Sequence, residues 1–285
     1  MLGWLLAPLV AVIAYTISDT LVKTPSEDYG VVPTAIWIGV LSALILALYL
    51  PFAGPEAINA ATVVYAAIIA VCFGAGAVMI FTALKTEQVS NVMALVELAY
   101  VVVVLYGGLA LHEDVTAWQW SAIALVLFGT LLVSTTEKFK FDRTFGLVII
   151  GQLLWGVWYI PFDYATAASG GFVMPLFLAS VMSSLFFIAY YLLSRRSAPS
   201  ATGRAVTARM IAIVIIVGAT YGIGLLFFGY LITVNIVAIG AAIIASEPAF
   251  IILLGRLFYK DRFAAHQVLG FALIISGAVA LSILA

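Results

Sequence analysis

Charged residues are scarce in this chain, and cysteine is almost absent. Asp, Glu, Lys and Arg make up 9% of the 285 residues, whereas 65% are hydrophobic. No soluble globular domain has that balance. The single cysteine, Cys72, excludes an intramolecular disulfide and a cysteine metal cluster. Hydrolase, zinc-protease and phosphate-loop motifs are also missing, so the sequence predicts neither an enzyme nor a cofactor.

Long apolar runs make up most of the sequence. About 20 apolar residues, rising 1.5 Å each in a helix, cross a hydrocarbon layer of roughly 30 Å. The runs fall at about 3–22, 31–51, 62–84, 89–111, 117–135, 145–167, 172–194, 209–232, 236–259 and 264–284. The sequence therefore predicts an all-α integral membrane protein of ten transmembrane helices, here called spans 1 to 10, without a separate soluble domain.

The few charges are segregated by membrane face. If the chain crosses ten times, all 12 Lys and Arg fall on one face, because they lie in or beside the breaks after spans 1, 3, 5, 7 and 9. The other face carries Glu56, Glu113 and Asp114. The positive-inside rule then puts the basic loops in the cytoplasm and both termini outside, in a multi-pass cell-membrane protein. An acid just before a helix favours its N-terminal dipole, so Glu113 is predicted to support span 5.

The two halves of the chain resemble each other. The predicted units are a first five-helix repeat at 1–136, a linker at 137–143 and a second repeat at 144–285. The matched positions are Tyr15 and Asp19 with Tyr159 and Asp163, Pro33 and Tyr49 with Pro175 and Tyr191, Glu97 with Glu247, and Gly129 with Gly277. Because five is odd, the second repeat is inverted, which is typical of alternating-access carriers.

Several of these motifs resemble a known group of carriers. They are Leu153-Leu-Trp155-Gly156, Glu247-Pro248-Ala-Phe250, Lys260-Asp261, Gly270 and Gly277, spread over the second half. The pattern is similar to the drug/metabolite transporter superfamily, specifically its EamA-type ten-span carriers. The resemblance implies a secondary transporter that moves small metabolites, often outward, and commonly with proton coupling or exchange.

Two glutamates lie at interior depth. Glu97 and Glu247 are roughly 12 and 18 Å from the basic ends of their helices at 1.5 Å per residue. A carboxylate there is costly and functional by default, so both are predicted to bind substrate or couple protons; the alternative is a neutral group that only joins helices. Asp19 and Asp163 are possible gates, although Asp19 has Lys23 one turn away as a pairing partner.

Aromatic residues accompany these acids. Trp155 and Tyr159 share a stripe of span 6 with Asp163, too deep for an interfacial aromatic belt. Ring faces beside a carboxylate suit an organic cation; plain helix packing is the alternative. The further predicted lining residues are Tyr15, Tyr100, Trp158 and Tyr221.

Together these features favour a carrier that exports a small cationic or zwitterionic metabolite. A neutral or aromatic amino-acid exporter is the alternative within transport, and a polytopic membrane enzyme or structural subunit is the alternative outside it. The expected partners are a small-molecule substrate, the lipid bilayer and protons, but not nucleic acid, with the protein acting as a monomer or homodimer.

Overall fold

The computed structural model describes residues 3–84, 98–134, 143–194, 207–234, 236–250 and 264–284. All regular structure in these ranges is helical. The α-helices are α1 (Gly3–Leu21), α2 (Lys23–Tyr29), α3 (Val31–Ala53), α4 (Ala60–Leu84), α5 (Leu98–Leu105), α6 (Ala117–Ser134), α7 (Arg143–Val157), α8 (Tyr159–Ser169), α9 (Val173–Ser194), α10 (Ala208–Thr233), α11 (Val237–Ile244) and α12 (Ala265–Leu284). A π-helical turn, Tyr106–Ala110, continues α5.

These elements form the ten predicted spans. Six apolar helices in the described ranges are long enough to cross a membrane, and four shorter apolar helices occupy the positions of spans 4, 5, 9 and 10. Span 1 is longer than predicted: the stretch expected to be a loop after residue 22 is helix α2, and the apolar segment reaches Ser26. Pro25 signalled a turn, but it lies in the first turn of α2, where a helix tolerates proline. Gly30, at φ 89°, ends this helix.

The two repeats are inverted, as the packing of spans 5 and 10 shows. A Cβ on Gly129 would lie 2.7 Å from the carbonyl oxygen of Gly270, and one on Gly277 would lie 2.8 Å from that of Ala122. Higher residue numbers of α6 lie against lower residue numbers of α12, so the two helices are antiparallel. Since Gly129 and Gly277 are matched positions, each repeat makes the same close approach to the other.

Six other spans form two three-helix groups. Span 6 packs on spans 3 and 4, and span 1 packs on spans 8 and 9, while span 2 packs on span 7 and span 5 on span 10. We call these groups the 3-4-6 bundle and the 1-8-9 bundle. Exchanging the repeats converts one bundle into the other. The core lies where the bundles meet.

One end of the protein is tied together by acids from the first repeat. The carboxylate of Glu56 accepts hydrogen bonds from the backbone N–H groups that begin α9, at 3.2 Å from Val173 N. Glu113 accepts from Val237 N at 2.6 Å and Ala238 N at 2.8 Å, at the start of α11. The breaks after spans 2, 4, 6 and 8 therefore share one end, here called the acidic face.

Glu113 acts at a different helix from the one predicted. It supports span 9 across the bundle boundary, rather than span 5, which follows it in sequence. The reason is that the loop folds back over the π-helical turn, where Gly107 lies against the backbone of Ala238. Burial raises the pKa of the Glu113 carboxyl group, and the two N–H donors partly offset that rise.

Candidate functional site

A pair of carboxyl groups from opposite halves of the chain forms the centre of the site. The side chain of Asp19, in span 1, is hydrogen-bonded to that of Glu247, in span 9. Glu247 is only 4% exposed. Two carboxyl groups can hydrogen-bond to each other only if one carries a proton, because two carboxylates offer acceptors and no donor. In that hydrogen-bonded state the pair holds one proton and one negative charge.

The backbone around Glu247 is broken and re-paired. Helix α11 ends at Ile244, a tight turn follows, and Pro248 brings no N–H to the resumed helix. Thr130 of span 5 donates to the carbonyl of Ala245 at 2.8 Å, and Ser246 donates to that of Ile243 at 2.6 Å. Freed carbonyls are thus satisfied inside the bundle, as a membrane interior requires.

Basic groups do not neutralise the pair within the part of the chain whose side chains are described. There, the only Lys or Arg side chain is that of Arg209. It lies in the first turn of α10, some twelve residues, or roughly 18 Å of helix rise, before mid-span residue Tyr221.

Aromatic rings from both bundles form a connected series that begins beside this pair. Tyr15 and Tyr221 lie 5.5 Å apart between ring centroids and act electrostatically with Asp19 and Glu247. Phe73 connects Tyr221, at 6.2 Å, to Trp155, on which it stacks at 5.4 Å. The indole of Trp155 donates to the carbonyl of Phe73 at 2.9 Å. Tyr15, Tyr221 and Trp155, all predicted lining residues, are therefore brought together, with Phe73 added.

The other predicted aromatics form a separate layer towards the acidic face. Tyr159 lies 5.1 Å from Phe228, and Tyr100 meets the same ring edge-on at 6.1 Å. Trp158 packs on Phe162 at 5.4 Å. We call Trp158, Tyr159, Phe162 and Phe228 the aromatic layer. It joins span 6 to span 8 across the bundle boundary, so Trp158, Tyr159 and Tyr100 border the central site without surrounding its carboxyl groups.

Asp163 lies beyond this layer. It accepts a hydrogen bond of 2.9 Å from the hydroxyl of Tyr106, at the start of the π-helical turn. π-Helical turns are frequent at functional sites. Asp163 and Tyr106 belong to the 3-4-6 bundle, whereas Asp19 and Glu247 belong to the 1-8-9 bundle. Each matched aspartate thus contacts a residue of its own bundle, but the two partners, Tyr106 and Glu247, are not matched positions. The role of the aspartates as gates stays a prediction.

Two further polar residues bear on the site, one predicted and one found in the structure. Glu97, a predicted proton-coupling residue, lies outside the described residues. Gln152 is fully buried, and its side-chain amide has no hydrogen-bond partner among the described residues. Buried amides are normally paired, so an unpaired one suggests a place for water or a polar ligand.

Sequence reasoning missed four residues of the site and its aromatic layer, namely Phe73, Tyr106, Phe162 and Phe228. Apolar rings within an apolar helix carry no distinguishing pattern, which accounts for the three phenylalanines. Tyr106 had a detectable feature, because Tyr106-Gly107-Gly108 interrupts span 4 with two glycines.

Ten apolar helices in two inverted repeats, enclosing a buried polar centre at the boundary between two bundles, define a multi-pass membrane transporter. The EamA-like transporter family model matches residues 1–135 and again 143–283. The chain therefore belongs to the EamA-like transporter family, within which two copies of one unit make the carrier.

Solved structures share this fold. Twenty-nine chains of known structure match, and one crystal structure superposes with a TM-score of 0.72 at 18% identity, covering 98% of this chain and 96% of the other. At that identity the likeness concerns the fold alone. No curated protein matches the sequence.

Proposed function

We propose that this protein is a secondary carrier that exports a small cationic or zwitterionic metabolite by alternating access, in exchange for protons. The observation that supports this most is the Asp19–Glu247 pair, in which Glu247 is buried and Asp19 half-buried. Tyr15 and Tyr221 lie beside the pair, and Phe73 links Tyr221 to Trp155. A pair of net charge −1 beside aromatic faces attracts an organic cation.

Proton exchange follows from the same pair. When an ammonium group approaches, the shared proton becomes dispensable, because the cation neutralises the charge that the proton had neutralised. Substrate and proton therefore compete for the two carboxyl groups. Glu97, the matched position of Glu247 in the first repeat, remains a second candidate for this role. The basic loops assign the cytoplasm to the opposite end from the acidic face, so export runs towards the acidic face.

A thermal-shift screen of amines, amino acids and neutral solutes against the purified protein tests the substrate class. A ligand that binds only the folded protein raises its unfolding temperature. The proposal expects amines or zwitterions to raise it, and Glu247→Gln to abolish the shift. Asp114→Asn is the matched control, since it removes the same charge from an exposed loop.

The same thermal-shift screen tests the alternative function, export of a neutral or aromatic amino acid. The Phe73–Trp155 stack also suits an aromatic amino acid whose charged groups do not contact the carboxyl pair. A ligand whose shift is equal in wild type and Glu247→Gln would favour the neutral or aromatic amino-acid exporter and refute the cation proposal.

A further inference from the structure

The structure contains two acidic clusters that the aromatic layer separates. The central cluster is the Asp19–Glu247 pair with Tyr15 and Tyr221. The facial cluster is Asp163 with Tyr106 and, at the edge of the acidic face, Glu113. If protons exchange with substrate, they must reach the central cluster from the acidic face, and the layer lies between.

Among the described residues, the rings of the layer are closely packed. Tyr159 and Phe162 are fully buried, and Phe228 is 3% exposed. Above it, Gly107 and the Glu113 carboxylate close the 3-4-6 bundle onto the start of α11. A proton differs from a solute, because it needs only a chain of hydroxyl and water oxygens.

Tyr159 supplies the one hydroxyl of this layer. Its ring packs against Phe228, Phe162 and Trp158, yet its hydroxyl is fully buried and has no hydrogen-bond partner among the described residues. Leaving such a group unpaired costs about 1–3 kcal/mol. Packing therefore explains why the ring is buried, but not why the hydroxyl oxygen is. A buried hydroxyl is normally hydrogen-bonded, so a water molecule or another polar group is expected beside it.

Charged and titratable groups face this hydroxyl from both sides. On the facial side it interacts electrostatically with Glu113, Asp163 and Tyr106, and on the central side with Tyr15. Tyr15 in turn interacts with Asp19 and Glu247. Tyr159 thus interacts with the facial cluster directly and with Tyr15 of the central cluster.

We propose that the Tyr159 hydroxyl, with bridging water, conducts protons between the acidic face and the Asp19–Glu247 pair through a layer closed to solutes. In each transfer, the Tyr159 oxygen accepts a proton from a water on the Asp163 side and releases its own proton to a water on the Tyr15 side. The phenol remains neutral, one proton has moved, and rotation of the hydroxyl resets it. This proposal rests on the proposed central proton site.

The test follows the protonation of the central pair directly, with protons as the probe. Infrared difference spectroscopy on proteoliposomes sorted by orientation records the carboxylic-acid band after a pH jump at one face. Loss of the band in Asp19→Asn and Glu247→Gln assigns it to the pair. Tyr159→Phe keeps the ring and removes the oxygen. It should slow protonation from the acidic face by about a hundredfold, the scale of one positioned proton-transfer group. The rate from the basic face and the final band amplitude should not change.

Tyr164→Phe is the matched control on the same helix, because Tyr164 is 53% exposed and stacks on Tyr65 outside the layer. It should behave as wild type. A wild-type rate in Tyr159→Phe, or equal slowing from both faces, would refute the path while leaving the central site intact. Absence of any titrating band from Asp19 or Glu247 would refute the proposed proton site, and the path with it.

Discussion

Asp19 and Glu247 come from opposite repeats and make one carboxyl–carboxyl hydrogen bond. Such a contact between two acids exists only while a proton is present, so the structure of this bundle depends on protonation. Only 9% of the residues are charged, and two of them meet here within the membrane-spanning segments. The contact joins span 1 to span 9, and its loss would loosen the 1-8-9 bundle at mid-span.

Stability should therefore fall as rising pH removes the proton from this pair. When the shared proton leaves, two negative charges about 4 Å apart repel each other by about 4 kcal/mol at an effective dielectric constant of 20. The unfolding temperature of the wild type should decline over the pH range in which the shared proton is lost. Asp19→Asn and Glu247→Gln should show a flatter dependence of unfolding temperature on pH. Thermal unfolding in detergent over a pH series measures it. Parallel profiles in all three proteins would contradict the shared proton.

The inverted repeats predict paired effects at the seam between spans 5 and 10. Gly129→Ala and Gly277→Ala each place a Cβ against the facing backbone, so both should destabilise by about 1–3 kcal/mol, to a similar extent. Gly146→Ala is the matched control: nothing lies within 4 Å of its Cβ, and it should be neutral or stabilise α7 by up to about 1 kcal/mol. Strongly unequal losses for the first two variants would argue against the symmetric seam.

The sequence was sufficient for the fold and for part of the site. The length of the apolar runs predicted the spans, because span length depends on membrane thickness. The odd number of helices in each repeat predicted the inversion, because it reverses the chain direction at the start of the second repeat. The interior acid Glu247 was conspicuous for the same reason. Its partner was not, since Asp19 has Lys23 four residues on, and no local pattern shows that span 9 passes beside span 1.

Helix ends and aromatic positions were less predictable. Turn residues suggested a loop after residue 22, but proline in a first turn is compatible with helix α2. Six predicted aromatic lining residues share mid-span depth, and depth does not tell which bundle face each occupies. Packing across the bundle boundary separated Tyr15, Tyr221 and Trp155 from Tyr100, Trp158 and Tyr159.

Glu113 should contribute to stability through the start of α11. Glu113→Ala leaves the N–H groups of Val237 and Ala238 without an acceptor, at a cost of about 2–4 kcal/mol. Glu113→Gln retains one acceptor oxygen and should lose less. Chemical or thermal unfolding measures both, with Asp114→Ala as the control in the neighbouring exposed position. Equal losses in Glu113→Ala and Asp114→Ala would show that the hydrogen bonds do not stabilise the protein.

Orientation in the membrane can be tested by cysteine labelling. After Cys72→Ala, a cysteine at Ser200, in the basic linker between spans 7 and 8, should react only with reagents applied from the cytoplasm. A cysteine at Asp114 on the acidic face should react only from outside. The two positions are separated by spans 5, 6 and 7, an odd number of crossings, so they must always label from opposite faces. Labelling from the same face would contradict the span count itself. The reversed pattern would instead keep the fold and invert its placement, so that export towards the acidic face would become import.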